Sequence, residues 1–305
     1  MRPTAEAGLG DSPLVATVSE WIQGARPRTL PAAVAPVLAG AGAAVHADGL
    51  VVWKALVALV VALALQLGVN YANDYSDGIR GTDDDRVGPL RLVGSGVATA
   101  AAVKRAALLC LAVGAAAGLV LAATSGWELL AVGAMALLAA WFYTGGSSPY
   151  GYRALGEVSV FVFFGLVAVI GTTYVQLGSV TLAAVLAGIG VGALACAILV
   201  ANNLRDIPTD AVAGKRTLAV VLGDARSRTF YGLLVLVAFA CVVGIAVRVE
   251  PWAALGVAGV VIGARAWWQV RSGATGPELV AVLRDTGVAE LVYAAGLFAG
   301  LVIGA

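Results

Sequence analysis

The feature that most constrains this chain is a series of apolar runs, each about as long as a bilayer is thick. A membrane-spanning α-helix needs roughly 20 apolar residues, and the sequence divides into about nine such runs. Hydrophobic residues make up 60% of the chain and charged residues 12%, unlike a soluble domain. The sequence therefore predicts an all-α polytopic membrane protein. The predicted helices lie near 28–46, 51–73, 98–123, 126–144, 156–177, 180–203, 227–247, 251–269 and 284–304.

The first 20 residues contain two prolines and no apolar core long enough for a signal peptide. We expect residues 1–20 to be a disordered tail and residues 21–305 to form a single membrane-embedded domain. Pro31 and Pro36 fall within the first predicted helix, which we therefore expect to be kinked. The pairs Gly114/Gly118 and Gly188/Gly192 are GxxxG patterns, which favour close helix packing in membranes.

Positive charge is distributed unequally between the two ends of the predicted helices. Of the 19 Lys and Arg residues, only Lys54 and Arg248 fall in connections on one predicted side. By the positive-inside rule the richer side is cytoplasmic, and the long connections lie there. The net charge is only +1, and no basic stripe interleaved with aromatic residues is present, so nothing indicates a nucleic-acid partner.

An acidic segment follows the second apolar run directly. It reads N-Y-A-N-D-Y-S-D-G-I-R-G-T-D-D-D-R over residues 70–86. Ionisable residues at membrane depth are costly and usually mark a substrate or ion pathway. If the helix continues past Val69, three side chains share one face at i, i+4 and i+7: Asn70, Asp74 and Asp77. Asn73 lies beside them, and we expect Gly78 and Gly81 to end the helix.

A second acidic segment, A-N-N-L-R-D-I-P-T-D at 201–210, follows the apolar run 180–200. Three side chains again form one helical stripe: Asn202, Asp206 and Asp210. We expect Pro208 to interrupt this helix. Each acidic segment ends the second helix of a predicted four-helix half, so the chain is expected to form two such halves plus one appended helix, with a shared cavity at their interface.

The chemistry of both segments indicates a site for a metal and a diphosphate. Mg²⁺ prefers a few protein oxygens completed by substrate phosphates, and each segment is followed by cations that suit phosphate oxygens. These are Arg80, Arg86 and Arg91 after the first segment and Arg205, Lys215 and Arg216 after the second. The lone His46 excludes a histidine-based metal site.

Four parts of the chain resemble a known family. They read A-R-P-R-T-L-P at 25–31, N-Y-A-N-D-Y-S-D-G-I-R-G-T-D at 70–83, Y-T-G-G-S-S-P-Y-G-Y with G-E-V-S-V-F-V-F-F-G at 143–152 and 156–165, and N-N-L-R-D-I-P-T-D with G-K-R-T-L-A-V at 202–210 and 214–220. On these residues the chain resembles the UbiA-type intramembrane prenyltransferases, especially bacterial and actinobacterial members that prenylate 1,4-dihydroxy-2-naphthoate. Gly81 followed by Asp83 matches that subgroup, whereas Ser148 stands where relatives often carry Lys or Arg.

The resemblance implies a magnesium-dependent enzyme in the bacterial inner (plasma) membrane, with its active site facing the cytoplasm. It would transfer a long-chain polyprenyl group from its diphosphate to 1,4-dihydroxy-2-naphthoate, releasing carbon dioxide and diphosphate and giving demethylmenaquinone for menaquinone biosynthesis. Six residues are expected to be metal-binding and catalytic: Asn70, Asp74 and Asp77 for one Mg²⁺, and Asn202, Asp206 and Asp210 for a second. The expected substrate-binding residues are Asn73, Arg80, Asp83, Tyr143, Tyr150, Tyr152, Arg153, Lys215 and Arg216.

Other functions stay open on sequence alone. Within the same class, the acceptor could be 4-hydroxybenzoate, homogentisate or a chlorin. A cation-coupled transporter could also use acidic helix ends, although the polar residues here cluster at one membrane face. A lipid phosphotransferase would need a D-G-x-x-A-R signature, and Asp77-Gly78 is followed instead by Ile79, Arg80 and Gly81.

Overall fold

The computed structural model describes residues 16–81 and 90–305, and its regular elements in these ranges are helical. The helices are α1 Val18–Gly24, α2 Pro31–His46, α3 Val52–Gly78, α4 Ala100–Ser125, α5 Leu129–Phe142, α6 Gly156–Val160, α7 Ala168–Leu177, α8 Leu182–Val212, α9 Leu218–Leu222, α10 Asp224–Arg248, α11 Val257–Arg271 and α12 Gly276–Ile303. A π-helix at Phe161–Val167 joins α6 to α7, and short 3₁₀ turns cover Pro27–Thr29, Tyr150–Tyr152 and Pro251–Gly256. The prediction of an all-α polytopic membrane protein is confirmed.

Seven helical segments within the described residues are long and apolar enough to cross a membrane. The pair Val18–Thr29 and Pro31–His46 is bent by 49° and counts as an eighth if it is one span. The expected kink therefore lies at Pro31, the first residue of α2, while Pro36 is accommodated inside that helix. The run expected at 126–144 forms α5, whose 14 residues extend roughly 21 Å at 1.5 Å per residue. The predicted count of about nine spans is thus seven or eight by length and composition.

Helix α8 is the central element of the fold. In its most apolar 18-residue window 72% of the residues are buried, against 22% in the corresponding window of α3. It packs against α2, α10, α12 and the π-helix, and its residues make up much of the main hydrophobic core. Helix α3 pairs with α4 at the other side of the molecule. The two helices that carry the acidic segments are therefore packed in different surroundings.

The ends of these two helices differ in how they relate to the sequence. Helix α3 continues past Val69 and ends at Gly78, as expected, and Gly81 follows with a positive φ of 70°. Helix α8 continues through Pro208 to Val212, so the expected interruption is absent. A proline removes one i−4 hydrogen bond from a helix. Next to Pro208, the Thr209 side-chain hydroxyl donates a hydrogen bond to the Asp206 carbonyl oxygen at 3.0 Å. The whole second acidic segment therefore lies on one continuous helix.

Glycine lets the π-helix and α8 come into backbone contact. A Cβ added at Gly165 would lie 2.5 Å from Gly192 Cα and 2.6 Å from the Gly188 oxygen. The Gly188/Gly192 pair thus packs helices as predicted. The Gly114/Gly118 pair does not behave this way: a Cβ at Gly118 would meet nothing within 4 Å, because Gly118 faces a cavity. The prediction that Gly118 packs against another helix is therefore wrong.

Replacing Gly165 by Ala is expected to destabilise the protein. The added methyl group must push apart two backbones, and overpacking of this kind costs about 1–3 kcal/mol. Gly171→Ala is the matched control on the same span, since a Cβ there would meet nothing within 4 Å. Thermal unfolding in detergent should show a lower Tm for Gly165→Ala alone. Equal Tm values for the two variants would contradict the proposed backbone contact.

Candidate active site

A cavity of about 570 Å³ lies between α2, α3, α4, α5, the π-helix with α7, and α8. Both acidic segments contribute polar residues to one of its ends, including Asn70 and Asn202, whereas Ala58, Leu121 and Val175 line an apolar region. Ala58 and Asn70 both belong to α3, and 12 residues of helix correspond to roughly 18 Å. The cavity is therefore an elongated channel with a polar head and an apolar body.

Tyr152 connects the two acidic segments at the polar end. Its hydroxyl donates to Asp77 Oδ1 at 2.6 Å, and its ring lies under two cations. Lys215 Nζ is 5.0 Å and Arg80 Cζ is 5.7 Å from the ring centroid, within the range of cation–π attraction. The chain around Tyr152 is fixed in turn, because its carbonyl accepts a hydrogen bond from Arg216 N at 3.2 Å. One tyrosine thus holds a carboxylate of α3 and the lysine that follows α8 in a single arrangement.

Asp74 is occupied by backbone hydrogen bonds. The amides of Leu92 and Val93 donate to its two oxygens at 2.8 and 3.0 Å. The side chain is fully buried and does not line the cavity. In this arrangement Asp74 anchors the chain at residues 90–93 to the end of α3.

The acidic residues of α8 are paired with cations from the same segment. Arg205 binds both carboxylate oxygens of Asp206 at 2.7 and 2.9 Å and also donates to Asn202 Oδ1 at 2.9 Å. Asp210 Oδ1 lies 3.9 Å from Lys215 Nζ. These pairs neutralise carboxylates that are largely buried, which an isolated charge could not be without a large cost.

Arg80 connects α3 to the 143–155 loop. Its guanidinium donates to the carbonyls of Thr144 and Gly146 at 2.6 and 2.5 Å, while the Thr144 hydroxyl donates to Asn73 Oδ1 at 2.8 Å. Arg153 is exposed and donates to the Ser148 hydroxyl. The donors of Arg80 are therefore engaged with the protein's own backbone.

The structure brings together part of the predicted site. The predicted residues that line the cavity are Asn70, Asn73, Asp77, Tyr143, Tyr150, Asn202 and Lys215. Those that lie outside its lining are Asp74, Arg80, Tyr152, Arg153, Asp206, Asp210 and Arg216. Asp83 lies outside the described residues. The roles assigned to all of them stay predictions, and the geometry separates side chains that face the cavity from those that hold these side chains in place.

Several polar residues that face the cavity were not predicted to be site residues. They are Arg26, Thr29, Gln66, Thr144, Ser159, Asn203 and Thr217. Arg91, one of the cations expected to suit phosphate oxygens, also lines the cavity. Arg26 is the clearest case, because its Nη2 is buried without a hydrogen-bond partner among the described residues. The A-R-P-R-T-L-P stretch that contains it was part of the family resemblance, but nothing in that stretch told a membrane anchor from a cavity residue.

The donor set at the polar end suits magnesium in its chemistry. Asp77, Asn70, Asn73 and Asn202 offer hard oxygen ligands, which Mg²⁺ prefers, and this ion usually keeps several sites for water and substrate phosphate. Within the described residues no group of three or more His, Cys, Asp or Glu side chains is close enough to enclose a metal. The residues therefore fit an ion that a bound diphosphate helps to hold, rather than one in a closed protein cage.

Two tyrosines form an aromatic wall near this polar end. The rings of Tyr143 and Tyr150 meet edge to face with centroids 5.5 Å apart. Burial, followed by the nearby Glu157 carboxylate, raises the pKa of Tyr143, and burial also raises the pKa of Tyr150. Both hydroxyls therefore stay protonated at neutral pH, so their rings present neutral, electron-rich faces to the cavity.

Cavity, acidic helix ends and fold together describe an intramembrane site for an amphiphilic anion. The model of the UbiA prenyltransferase family matches residues 33–278, and the chain belongs to that family. It is similar to the apo structure of a UbiA homolog from Aeropyrum pernix, with a TM-score of 0.70, 15% identity and coverage of 88% of this chain and 97% of that one. A UbiA homolog from Archaeoglobus fulgidus bound to GPP and Mg²⁺ gives a TM-score of 0.68 at 14% identity, covering 93% and 99%.

More similar sequences come from bacteria. The 1,4-dihydroxy-2-naphthoate octaprenyltransferase of Mycobacterium tuberculosis is 56% identical over 290 residues, covering 95% of this chain and 99% of the relative. The protein of the same name from Escherichia coli is 39% identical over 237 residues, covering 74% and 76%. The expected subgroup of the family is thereby confirmed.

Asp74 and Asp77 are expected to respond differently to replacement by Asn. Asp74→Asn leaves one of the two backbone amides that bind Asp74 facing an NH₂ group, and an unpaired donor costs about 1–3 kcal/mol where it is buried. It should therefore lower both Tm and activity. Asn at position 77 can still accept from Tyr152 but carries no charge, so Asp77→Asn should lower activity at least about tenfold with little change in Tm. Activity and thermal unfolding in detergent check both; a wild-type Tm for Asp74→Asn would contradict its anchoring role.

Proposed function

We propose that the protein is a membrane-embedded aromatic prenyltransferase that transfers a long-chain polyprenyl group from its diphosphate to 1,4-dihydroxy-2-naphthoate in menaquinone biosynthesis. The observation that carries the proposal is the cavity itself, in which oxygen ligands and cations occupy one end and an apolar channel continues from them. A polyprenyl diphosphate has the same division into a charged head and an apolar tail. The sequence identity to the naphthoate prenyltransferases supports this acceptor among the aromatic ones.

The reaction balances without a protein base at the ring carbon. The C–O bond of the allylic diphosphate breaks, and its electron pair leaves with diphosphate. The ring carbon that bears the carboxylate then forms a C–C bond to the allylic cation. The bond from that carbon to the carboxylate breaks, its electron pair restores the aromatic ring, and carbon dioxide leaves. The product is demethylmenaquinol, the reduced form of demethylmenaquinone.

Residues at the polar end stabilise the leaving diphosphate. Asp77, with Asn70, Asn73 and Asn202, would hold Mg²⁺, which neutralises charge on the diphosphate as it departs. Lys215 and Arg91, both expected to suit phosphate oxygens, line the same cavity as Arg26, which was not predicted. These three cations add positive charge that is fixed before the reaction begins. Because these groups are already oriented, little reorganisation accompanies bond breaking.

The rest of the cavity protects the allylic cation and holds its tail. The neutral rings of Tyr143 and Tyr150 attract a cation through their faces, and the apolar walls exclude water that would otherwise capture it. The distribution of Lys and Arg supports a cytoplasmic position for this polar end, in the bacterial plasma membrane. The site would therefore be accessible both to the naphthoate from the cytoplasm and to the polyprenyl diphosphate from the membrane.

The direct test is product formation by purified protein in detergent under nitrogen. The protein is supplied with 1,4-dihydroxy-2-naphthoate, a long-chain polyprenyl diphosphate and either Mg²⁺ or EDTA, and products are identified by mass spectrometry. We expect a prenylated product that lacks the carboxyl group, formed with Mg²⁺ and reduced at least about a hundredfold by EDTA.

A parallel reaction with 4-hydroxybenzoate provides the control for the acceptor. Prenylation of 4-hydroxybenzoate without prenylation of the naphthoate would contradict the proposed acceptor while leaving the enzyme class intact. No product with any aromatic acceptor would contradict the prenyltransferase function.

A further inference from the structure

A buried carboxylate beside the cavity has no part in the metal and diphosphate groups described above. Glu157 lies in the first turn of α6, directly after the 143–155 loop, and is 4% exposed. Its Oε1 accepts a hydrogen bond from Asn203 Nδ2 at 2.9 Å, whereas its Oε2 has no hydrogen-bond partner among the described residues. Burying a carboxylate with so few partners is costly. A purely structural role in packing would be filled better by an apolar side chain, so Glu157 is expected to have another role.

Its partner Asn203 lines the cavity, one residue beyond Asn202 on α8. A carboxylate can only accept hydrogen bonds, so the NH₂ group of Asn203 must face Glu157. This leaves Asn203 Oδ1 as the atom that can bind a ligand. Glu157 therefore determines which way the Asn203 amide points, and it makes Asn203 a hydrogen-bond acceptor toward the cavity.

The surroundings of Asn203 suit a flat aromatic ring. Tyr143 and Tyr150 line the same cavity, and the Tyr143 hydroxyl is close to α6, since a Cβ added at Gly156 would lie 3.0 Å from it. The Tyr150 hydroxyl is engaged with Ala139 O at 2.7 Å and Ser159 Oγ at 2.8 Å. Aromatic walls and one fixed acceptor thus occur next to each other.

We propose that Asn203 accepts a hydrogen bond from a ring hydroxyl of the aromatic acceptor and that Glu157 is a positioning residue that orients the Asn203 amide. The inference rests on the proposed function, which supplies an acceptor with two hydroxyl groups. An amide oxygen backed by a carboxylate repels phosphate oxygens and favours an O–H donor. The polyprenyl diphosphate is therefore expected to bind near the cations of the cavity, and the aromatic substrate is expected to bind near Asn203 and Glu157.

This hydrogen bond would also favour the reaction. When the allylic cation joins the ring at the carbon that bears the carboxylate, positive charge spreads to the hydroxyl on the adjacent ring carbon, and its O–H group becomes a stronger donor. An acceptor already aimed at such a hydroxyl is then worth more in the transition state than in the ground state. Since the balanced reaction removes no proton from the hydroxyl, an amide oxygen is sufficient and no base is required there.

The test compares binding of two ligands to the full-length protein in detergent, without donor or metal. The ligands are 1,4-dihydroxy-2-naphthoate, kept reduced under nitrogen, and 2-naphthoate, which has the same carboxylate but no hydroxyl. Their dissociation constants are measured through naphthalene fluorescence. We expect Asn203→Leu and Glu157→Met to weaken binding of the dihydroxy ligand about tenfold and to change that of 2-naphthoate less than twofold. Met offers the Asn203 NH₂ group no oxygen, whereas Gln could still accept from it.

Glu290→Met is the matched control. Glu290 is fully buried on α12 and both its carboxylate oxygens lack hydrogen-bond partners among the described residues, but it does not line the cavity. Its replacement should change the affinity for neither ligand. Met is similar in length to Glu, so Glu157→Met keeps the packing even if Asn203→Leu fails to fold.

Several outcomes would overturn the inference. Equal weakening of both ligands would show general damage to the cavity, and unchanged affinity for the dihydroxy ligand would exclude the contact. A selective loss in Asn203→Leu with none in Glu157→Met would overturn the positioning role of Glu157. Because binding needs no turnover, wild-type protein that binds the dihydroxy ligand with the expected selectivity but forms no prenylated product would contradict the proposed function alone.

Discussion

The cost of burying charge at the end of a membrane helix governs this structure. Within the described residues, the carboxylates of the two acidic segments are each held by a specific partner: Asp74 by two backbone amides, Asp77 by a tyrosine hydroxyl, Asp206 by a bidentate arginine and Asp210 by a nearby lysine. Such pairing is what makes buried ionised groups tolerable. Loops and helices are placed around the acidic segments because those segments require partners, and the cavity is what remains between them.

The 143–155 loop turns two separate helix ends into one site. Arg80 of α3 binds carbonyls of this loop, Tyr152 of the loop binds Asp77, and the backbone of Tyr152 binds Arg216 beyond α8. The loop therefore fixes the distance between the first and second acidic segments. It also leads directly into α6, where Glu157 meets Asn203. A single short stretch thus sets both the diphosphate end of the cavity and the proposed acceptor side.

The apolar body of the cavity depends on small residues and on a short helix. Gly118 and Gly133 both line it, and a Cβ at either would meet nothing within 4 Å. Helix α5, at 14 residues, is shorter than the hydrocarbon core it stands in. Part of the space in the cavity is therefore left open because two of its lining residues have no side chain. Elsewhere glycine has the opposite use, since at Gly165 it lets two backbones touch.

The sequence by itself determined the helical class and the positions of most of the membrane-length segments, and it indicated the chemistry of the site. These follow from local properties: hydrophobic length, the 3.6-residue period and the preference of carboxylates for cations and metals. It also indicated the family, because Asn70 to Asp83 and Asn202 to Asp210 carry recognisable spacing.

Tertiary structure alone decided which of those polar residues face the cavity. Asp74 and Asp77 occur on the same helical stripe, yet one anchors the chain at 90–93 and the other lines the cavity, because the partners that divide them come from distant segments. Tertiary packing likewise decided that α8 continues through Pro208 and that Gly118 faces the cavity instead of a neighbouring helix. The local sequence shows which interactions a side chain is capable of, and its packing neighbours determine which of these interactions it makes.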